Sequence, residues 1–427
     1  MKEDFLHYIW KFKKFNFGRA FTVKGEPVTL IDPGMANLNS GPDFFNAKLK
    51  IGEQLWAGNV EIHINSSHWY QHHHEQDPAY DNVILHVVWD DDMEIYRNDN
   101  SLIPTMELKE LVSPGTLNQY RELLLAPNGR WINCETDFSQ VDDFELNNWL
   151  ERLYLERLES KAKVLHDLLV KTGNDWEAVL FRLLAKNFGL KVNGGAFLSM
   201  AQSFDFKVVR KCRDSKLMLE ALFLGQSGQL ENDKEDAYFL QLKEEYQYIQ
   251  KKYRLDNKYV ERPKYFRLRP DNFPGLRLAQ LAAIYHEVPH LFSAVINASS
   301  VKELRDIFVM EPAAFWNTHY TFEKSHTAKK KKLSAAFVDL LIINTLLPVR
   351  FSYEKLTGTG DPSVIISMIE DLKAEKNSVI DKFNSIRPGS ARTALASQAL
   401  LQLKQHYCDK NACLQCNLGI KLLKGEA

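Results

Sequence analysis

Two acidic residues lie at equal distances from a glycine turn in the segment GPDFFNAKLKIGEQLWAGNVEIHI. Asp43 precedes Gly52 by nine residues, and Glu61 follows it by nine. A turn at Gly52-Glu53 would place the two carboxylates opposite each other in a β-hairpin, with Cβ atoms roughly 5 Å apart. Facing carboxylates repel each other unless one is protonated or both bind a cation. The spacing therefore indicates a site for Mg²⁺ or Mn²⁺, with an exposed polar sheet face as the alternative.

Strand alternation adds a histidine to this pair. His63 lies two residues after Glu61, so both side chains are expected on one strand face. Alternation from Asp43 puts Lys48 and Lys50 on the opposite face. A divalent ion bound here would activate a water molecule and stabilise charge on a phosphate. The polar face of the hairpin is therefore expected to gather Asp43, Glu61 and His63 around such an ion.

Histidines are concentrated in and after this hairpin. Six of the thirteen fall between residues 63 and 86: His63, His68, His72, His73, His74 and His86. Neutral imidazole binds transition metals, and it also serves as an acid, a base or a donor to phosphate. The spacing favours His72, His74 and Asp77 as one set, whereas His86 is either a ligand or a core residue. A zinc hydrolase and a simple exposed loop are the competing interpretations.

Three cysteines lie close together in the C-terminal segment HYCDKNACLQCNLG, at Cys408, Cys413 and Cys416. The odd total of five cysteines argues against a disulfide framework. A bound metal is therefore favoured, with buried thiols as the alternative. A closed tetrahedral site requires a fourth ligand, for which His406 and Cys134 are the candidates.

Residues 262–277, RPKYFRLRPDNFPGLR, interleave cationic with aromatic side chains. The candidate nucleic-acid contacts are Arg262, Lys264, Arg267 and Arg269. Such residues contact phosphates and stack on bases, although a structural loop with ion-paired arginines gives the same pattern. The net charge of −1 shows no general basic excess of the kind found in proteins that coat nucleic acids.

The secondary-structure signals change character along the chain. Residues 2–15 have helical apolar spacing, residues 24–26 predict a hairpin turn, and VILHVVW at 83–89 predicts a central buried strand. Helical patterns dominate from Phe144 onwards. We therefore predict an α/β domain with a mixed sheet at residues 1–125. A large all-α domain is predicted at 126–427, carrying the cysteine motif 408–416.

Neither export nor membrane insertion is indicated by the sequence. The N-terminus lacks the uninterrupted apolar core of a signal peptide, and no apolar run reaches 18 residues. The longest apolar run, FVDLLIINTLLPV, predicts a buried helix. We expect a cytoplasmic protein with no membrane partner.

The motif Pro42-Asp43, followed by a hairpin and Glu61-x-His63, resembles the PD-(D/E)XK nuclease superfamily. The resemblance implies a core of helix, strand meander, helix and strand in roughly the first 110 residues, and cleavage of DNA or RNA. It implies that Asp43 and Glu61 bind Mg²⁺ or Mn²⁺, with Glu3 on the first helix as an additional ligand. His63 replaces the lysine that orients the attacking water, so a nucleic-acid-binding module without activity is the alternative.

Two further implications come from resemblance. Some nucleases of this superfamily close an iron–sulfur cluster with one upstream and three downstream cysteines, which implies Cys134 as the fourth ligand and leaves zinc and iron–sulfur open. Over nearly its whole length the chain also resembles an uncharacterised bacterial family, through the segments NSGPDF, GNVEIHI and LHVV.

Overall fold

A six-stranded mixed sheet lies in the N-terminal part of the chain, and helices make up most of the remainder. The computed structural model describes residues 1–37, 39–124, 129–232 and 234–424. The strands are β1 (Val28–Asp32), β2 (Met35–Ala36), β3 (Phe44–Ile51), β4 (Gln54–Asn65), β5 (Val83–Asp90) and β6 (Thr105–Glu107). An antiparallel meander joins β1, β3 and β4, β2 pairs with β3, and β5 and β6 continue the sheet in parallel. The predicted fold class, a mixed sheet followed by a large helical region, is confirmed.

The helices of the described residues are joined by short 3₁₀ and π-helical segments. They are α1 (Glu3–Lys11), α2 (His68–Gln71), α3 (Pro114–Leu124), α4 (Asp143–Lys171), α5 (Trp176–Phe188), α6 (Leu190–Gln202), α7 (Lys207–Cys212), α8 (Lys216–Gln226), α9 (Ala237–Tyr253), α10 (Pro274–Glu287), α11 (Leu291–Asn297), α12 (Val301–Asp306), α13 (Ala335–Leu341), α14 (Leu347–Thr357), α15 (Pro362–Glu370), α16 (Ser378–Ile386), α17 (Ala394–Leu403) and α18 (Asn417–Lys424).

The chain divides into two units, Met1–Trp149 with Leu403–Ala427, and Leu150–Gln402. We call them the sheet unit and the helical unit. The predicted boundary between residues 125 and 126 lies outside the described residues. The cysteine motif 408–416, predicted to end the helical domain, belongs to the sheet unit. The physical reason is that apolar residues of the C-terminal segment, such as Leu423, pack in the core of the sheet.

The central strand and the first helix form this core as predicted. Every side chain of β5 from Val83 to Val88 is buried. α1 packs Phe5 and Trp10 into the same core as Ile62 of β4. Because β4 and β5 are parallel and adjacent, the segment between them must cross over one face of the sheet.

The predicted first hairpin is only partly formed. Its turn exists, since the Gly25 N–H donates to the Thr22 carbonyl and Gly25 has a φ of +84°. A single isolated β-bridge, between Phe21 and Pro27, joins the two chain segments on either side of this turn. β1 pairs with β3 instead, because Val28 and Leu30 pack there against the core of the sheet.

One helical stretch, Ala335–Thr357, is long and apolar enough to cross a membrane by length and composition alone. Within its most apolar window, 67% is buried inside the protein. It comprises α13, a π-helical turn and α14. The burial is typical of a core helix and agrees with the predicted buried helix.

Candidate functional site

Asp43 and Glu61 meet because β3 contains a bulge. Near the turn β3 pairs regularly with β4, but the register shifts by one residue between Ala47 and Phe44. Asn46 lies in the bulge with a φ of +57°, in the left-handed region that asparagine tolerates better than most residues. The shift places Phe44 opposite its partner on β4 and Asp43 next to Glu61.

Reciprocal hydrogen bonds hold the two carboxylates. The Asp43 N–H donates to Glu61 Oε2 at 3.1 Å, and the Ile62 N–H donates to Asp43 Oδ2 at 3.0 Å. The Glu61 side chain is only 6% exposed. Burial, reinforced by the charge of Asp43, raises the pKa of Glu61 well above its usual range. At neutral pH this carboxyl group therefore carries a proton unless a cation is bound beside it.

The same bulge makes the expectation for Lys48 and Lys50 wrong, since both pair with β4 residues on the face that carries Glu61. Lys48 pairs with Ala57, which lies on the same face of β4 as Glu61. Ala57 lies four positions before Glu61, roughly 13 Å away along the strand. Lys48 thus shares a sheet face with the site but lies too far along it to act there.

His63 lies beside Glu61 and is surrounded by polar groups of the site. Its Nδ1 is 2.8 Å from His86 Nε2, and its Nε2 is 3.1 Å from His72 Nδ1. The same Nε2 is 3.5 Å from Glu61 Oε1. Burial, followed by the neighbouring histidines, lowers the pKa of His63 far below its usual range. The ring is therefore neutral and can offer a lone pair.

The crossover between β4 and β5 brings two more histidines to this point. His73 adopts a left-handed conformation with a φ of +59°. The chain turns there, and His72 and His74 both approach His63. His74 Nε2 lies 3.3 Å from Glu61 Oε1. One donor atom from each of His63, His72 and His74 lies within 4.8 Å of the other two.

Aromatic packing fixes the histidine segment. The His74 ring stacks on Tyr80 with centroids 3.8 Å apart, and the buried Trp69 meets His74 edge-on at 5.4 Å. Asp77, which the spacing grouped with the histidines, does not join them. Its carboxylate accepts the Ala79 N–H at 2.9 Å and begins a 3₁₀ helix.

His86 is buried next to His63, on the core side of the histidine cluster. It is fully buried, and burial lowers its pKa to about 3. Its Nε2 contacts His63, whereas its Nδ1 has no hydrogen-bond partner among the described residues. Of the two roles that the sequence left open, ligand or core residue, the geometry favours a buried residue that orients the ring of His63.

The helix α1 contributes a histidine that the sequence analysis missed. His7 Nε2 lies 3.2 Å from Asp43 Oδ2, and the predicted ligand Glu3 lies 3.7 Å from His68 Nδ1. Burial opposes protonation of His7, but Asp43 raises its pKa above the usual value. The spacing of Glu3 and His7, four residues apart on a helix with an apolar opposite face, was a usable signal.

A transition-metal ion fits this donor set better than Mg²⁺. Two imidazole donors of one tetrahedral ion lie roughly 3.4 Å apart when each bond is about 2.1 Å. The 3.1 Å between His63 and His72 is close to that separation. Mg²⁺ prefers oxygen ligands in octahedral geometry. His63, His72 and His74 would hold such an ion, with Glu61 as a fourth ligand.

The cysteines predicted as ligands converge elsewhere in the sheet unit. A single cavity is lined by Cys134, Cys408, Cys413 and Cys416. Burial raises the pKa of Cys134 to about 12 and that of Cys416 to about 11. Without a cation these thiols stay protonated. The alternative ligand His406 does not line the cavity.

The basic residues predicted to contact nucleic acid lie in one loop of the helical unit. Arg262 pairs with Glu231 and donates to two backbone carbonyls of the loop, so it has a structural role. Lys264, Arg267 and Arg269 are exposed. The loop thus contains one structural arginine and three accessible cationic side chains.

Comparisons with curated proteins and with solved structures found no match. A family model described as protein of unknown function (DUF2851) matches residues 3–378. This range contains the sheet and the histidine cluster, and it ends before the cysteine motif 408–416. The predicted membership of an uncharacterised domain family is thereby confirmed: the chain belongs to the DUF2851 family.

Proposed function

We propose that the sheet unit is a metal-dependent hydrolase that cleaves phosphodiester bonds of nucleic acid. One observation carries the proposal: three imidazole donor atoms lie within 4.8 Å of one another beside the buried carboxylate of Glu61. Imidazole and carboxylate ligands together suit Zn²⁺ or Mn²⁺. When bound, such an ion lowers the pKa of a coordinated water and stabilises negative charge on a phosphate.

The surrounding residues have distinct roles in this proposal. Asp43 holds the backbone of Ile62 and so fixes the strand that carries the ligands. His7 and His68 lie at the rim, with side chains 34% and 27% exposed. Their ring N–H groups can donate hydrogen bonds to phosphate oxygens. His72 is the most exposed ligand and marks the open side of the site.

The order of elements supports a nuclease. Helix α1, the meander β1-β3-β4, the crossover with α2 and the parallel strand β5 follow the order that the PD-(D/E)XK resemblance implies. Asp43 directly precedes β3 and Glu61 lies on β4, as that resemblance also implies. His63 in the lysine position is accounted for as a metal ligand. Exposed Lys264, Arg267 and Arg269 support a nucleic-acid partner.

A zinc hydrolase acting on small phosphoesters is the second candidate. The observation that favours it is the nitrogen-rich donor set, because the resemblance implies a site made of carboxylates. Both candidates require the same ligands, so the substrate distinguishes them.

The test is cleavage of labelled single- and double-stranded DNA and RNA by metal-stripped protein supplied with Mn²⁺, Zn²⁺ or Mg²⁺. We expect cleavage with Mn²⁺ or Zn²⁺. The rate should fall more than roughly 100-fold in His72→Ala, because loss of an outer-shell partner alone costs up to that factor. His73→Asn is the matched control, since it alters the same tripeptide and preserves the left-handed backbone.

Each alternative has its own outcome in this assay. Hydrolysis of bis(p-nitrophenyl) phosphate without nucleic-acid cleavage supports the second candidate. Nucleic-acid binding without turnover supports an inactive binding module. Equal cleavage by His72→Ala and His73→Asn would show that the histidine cluster is not the active site.

A further inference from the structure

The loop between α9 and α10, residues 254–273, carries two aromatic side chains that face solvent. Tyr259 is 87% exposed and Phe266 is 77% exposed, more than any other large apolar side chain among the described residues of the helical unit. Aromatic rings usually stabilise a fold by being buried. These two contribute little to the core, so packing does not account for their presence, and exposed apolar groups of this kind mark binding surfaces.

A cation lies beside each of the two rings. The ammonium group of Lys258 is 5.4 Å from the ring centroid of Tyr259, and the guanidinium carbon of Arg267 is 5.0 Å from that of Phe266. Both cations are exposed. The whole loop contains six cationic and three acidic side chains. It therefore combines exposed aromatic rings with an excess of positive charge.

Hydrogen bonds hold the loop in place on both sides of Phe266. The buried side chain of Asn193 accepts from the Lys264 N–H at 2.7 Å and donates to the Lys264 carbonyl at 2.8 Å. Asn272 Oδ1 accepts from the guanidinium of Arg277 at 2.6 Å. The exposed rings and cations are thus presented on a fixed backbone, so a ligand would pay little ordering entropy on binding.

A second cationic segment, residues 329–332, is connected to this loop. The same Arg277 that binds the loop also donates to Gln280 Oε1 at 3.0 Å, and Gln280 donates to the Lys331 carbonyl at 2.8 Å. Two side chains therefore link the end of the loop to the second segment. One glutamate pairs with two of the exposed lysines of that segment, which leaves the third, Lys329, available to a partner.

We propose that this surface binds single-stranded nucleic acid, a substrate class for the hydrolase proposed above, on which this inference rests. An unpaired nucleotide combines a flat base with an anionic phosphate, and each ring–cation pair of the loop matches both parts. The bases of a duplex are stacked on one another, so they are not free to stack on Tyr259 or Phe266. The cations attract either form of nucleic acid, and the rings give the single strand its advantage.

The test is fluorescence anisotropy, with metal-free full-length protein titrated into labelled oligothymidylate, oligouridylate and a DNA duplex of the same length. We expect tighter binding of the single strands than of the duplex. Phe266→Ala should weaken single-strand binding about 5- to 100-fold, the effect of losing one stacked base, and should leave duplex binding within about twofold. Phe266→Trp should retain the wild-type affinity. Phe144→Ala is the matched control, because Phe144 is equally exposed but lies in the sheet unit.

Three results would overturn the inference. One is equal affinity of the wild type for single strands and duplex. Another is the same single-strand affinity in the wild type, Phe266→Ala and Phe144→Ala. The third is binding to phosphatidylserine vesicles without binding to nucleic acid, which would make the surface a membrane contact. Cleavage by metal-loaded protein together with any of these results would retain the hydrolase and reject the loop, whereas single-strand binding without cleavage would retain the loop and reject the hydrolase.

Discussion

At the residue scale, Glu61 is a buried carboxyl group that needs either a proton or a neighbouring cation. It is buried beside another carboxylate, and burial lowers the pKa of the adjacent His63 far below its usual range, so this ring supplies no positive charge. A buried anion without a cation is costly, so the metal-free site keeps this group protonated. The proposed metal ion would supply the positive charge that this buried carboxyl group lacks.

Because Glu61 is protonated in the metal-free protein, Glu61→Gln should affect metal binding but not the stability of the metal-free protein. Glutamine resembles the protonated acid in shape, so the free energy of unfolding of metal-free protein should change by less than about 1 kcal/mol. The stabilisation that Zn²⁺ or Mn²⁺ confers on the wild type should disappear, because one ligand is lost. Thermal melts with and without metal measure both effects. A metal-induced rise in Tm equal to that of the wild type would contradict the assignment of Glu61 as a ligand.

Part of this site was predictable from residue spacing alone. Asp43 and Glu61 were expected to meet, and they do, but the count of nine residues on each side of Gly52 omitted the geometry of the turn. The actual hairpin would place Asp43 opposite Ile62 if β3 were regular. The bulge at Asn46 shifts the pairing of β3 with β4 by one residue, so that Asp43 lies beside Glu61 instead. A local backbone conformation of this kind leaves only a weak trace in sequence, and His7 depends on how α1 packs, which sequence spacing does not specify.

At the element scale, the bulge in β3 is the feature that sets the site. A shift of one residue moves a side chain to the other face of a sheet. Asn46→Val should destabilise the left-handed conformation by about 1–2 kcal/mol and weaken metal binding, because regular pairing would turn Asp43 towards the core. Asn46→Gly should preserve both stability and metal affinity. Titration of Mn²⁺ or Zn²⁺ into each variant measures the difference.

Deletion of Asn46 separates register from side-chain chemistry. Without the extra residue, simple alternation again places Asp43 beside Glu61. The deletion should therefore bind metal better than Asn46→Val. The reverse order of affinities would show that the bulge contributes something other than register.

Within the helical unit, the half-buried Lys161 of α4 contacts the π-helical turn between α13 and α14. Lys161 donates to Asn344 Oδ1 at 3.4 Å, and burial, followed by the charge of Arg157, lowers the pKa of Lys161 to about 7. Between that pH and the ordinary lysine pKa near 10.4, the unfolded chain holds a proton that the folded chain has lost. This group therefore makes the protein more stable as pH rises, by at most about 1.4 kcal/mol per pH unit.

Lys161→Met should remove this pH dependence. Urea unfolding at pH 7, 8 and 9 should show a flatter rise of the free energy of unfolding than in the wild type. Lys163→Met, which alters an exposed lysine of the same helix, should keep the wild-type slope. If the free energy of unfolding rises equally with pH in all three proteins, folding does not lower the pKa of Lys161.

The sequence pattern predicted best those elements whose pairing partners are close in sequence. The hairpin of β3 and β4 and the apolar run of β5 were predicted because turn residues and continuous burial are visible in the sequence. The turn at residues 24–26 was also predicted, but the pairing of β1 with β3 is decided by packing in the sheet. Local signals therefore located the strands better than they located their neighbours.

At the scale of the whole molecule, the two ends of the chain belong to one unit. The sequence suggested a split near residue 125 because helical patterns begin soon afterwards. It gave no sign that the last helix returns to the sheet, except for the pairing of Cys134 with the terminal cysteines. Long-range packing of this kind follows from which apolar surfaces remain uncovered, and that depends on the folded structure.

This arrangement predicts how fragments behave. Residues 1–149 alone should fold poorly, because the sheet core loses Leu423 and the apolar residues Leu414, Ile420 and Leu422 that pack against it. Loss of one buried leucine costs about 2–5 kcal/mol, a large part of the roughly 5–15 kcal/mol that holds a domain folded. Residues 403–427 joined to 1–149 by a glycine–serine linker should restore cooperative unfolding, and residues 150–402 should fold independently. Circular dichroism and hydrogen exchange measure each fragment, with Leu423→Ala in the full chain as the milder comparison. If 1–149 alone unfolds with the same midpoint as the linked form, the C-terminal segment is dispensable and the sheet unit ends before α4.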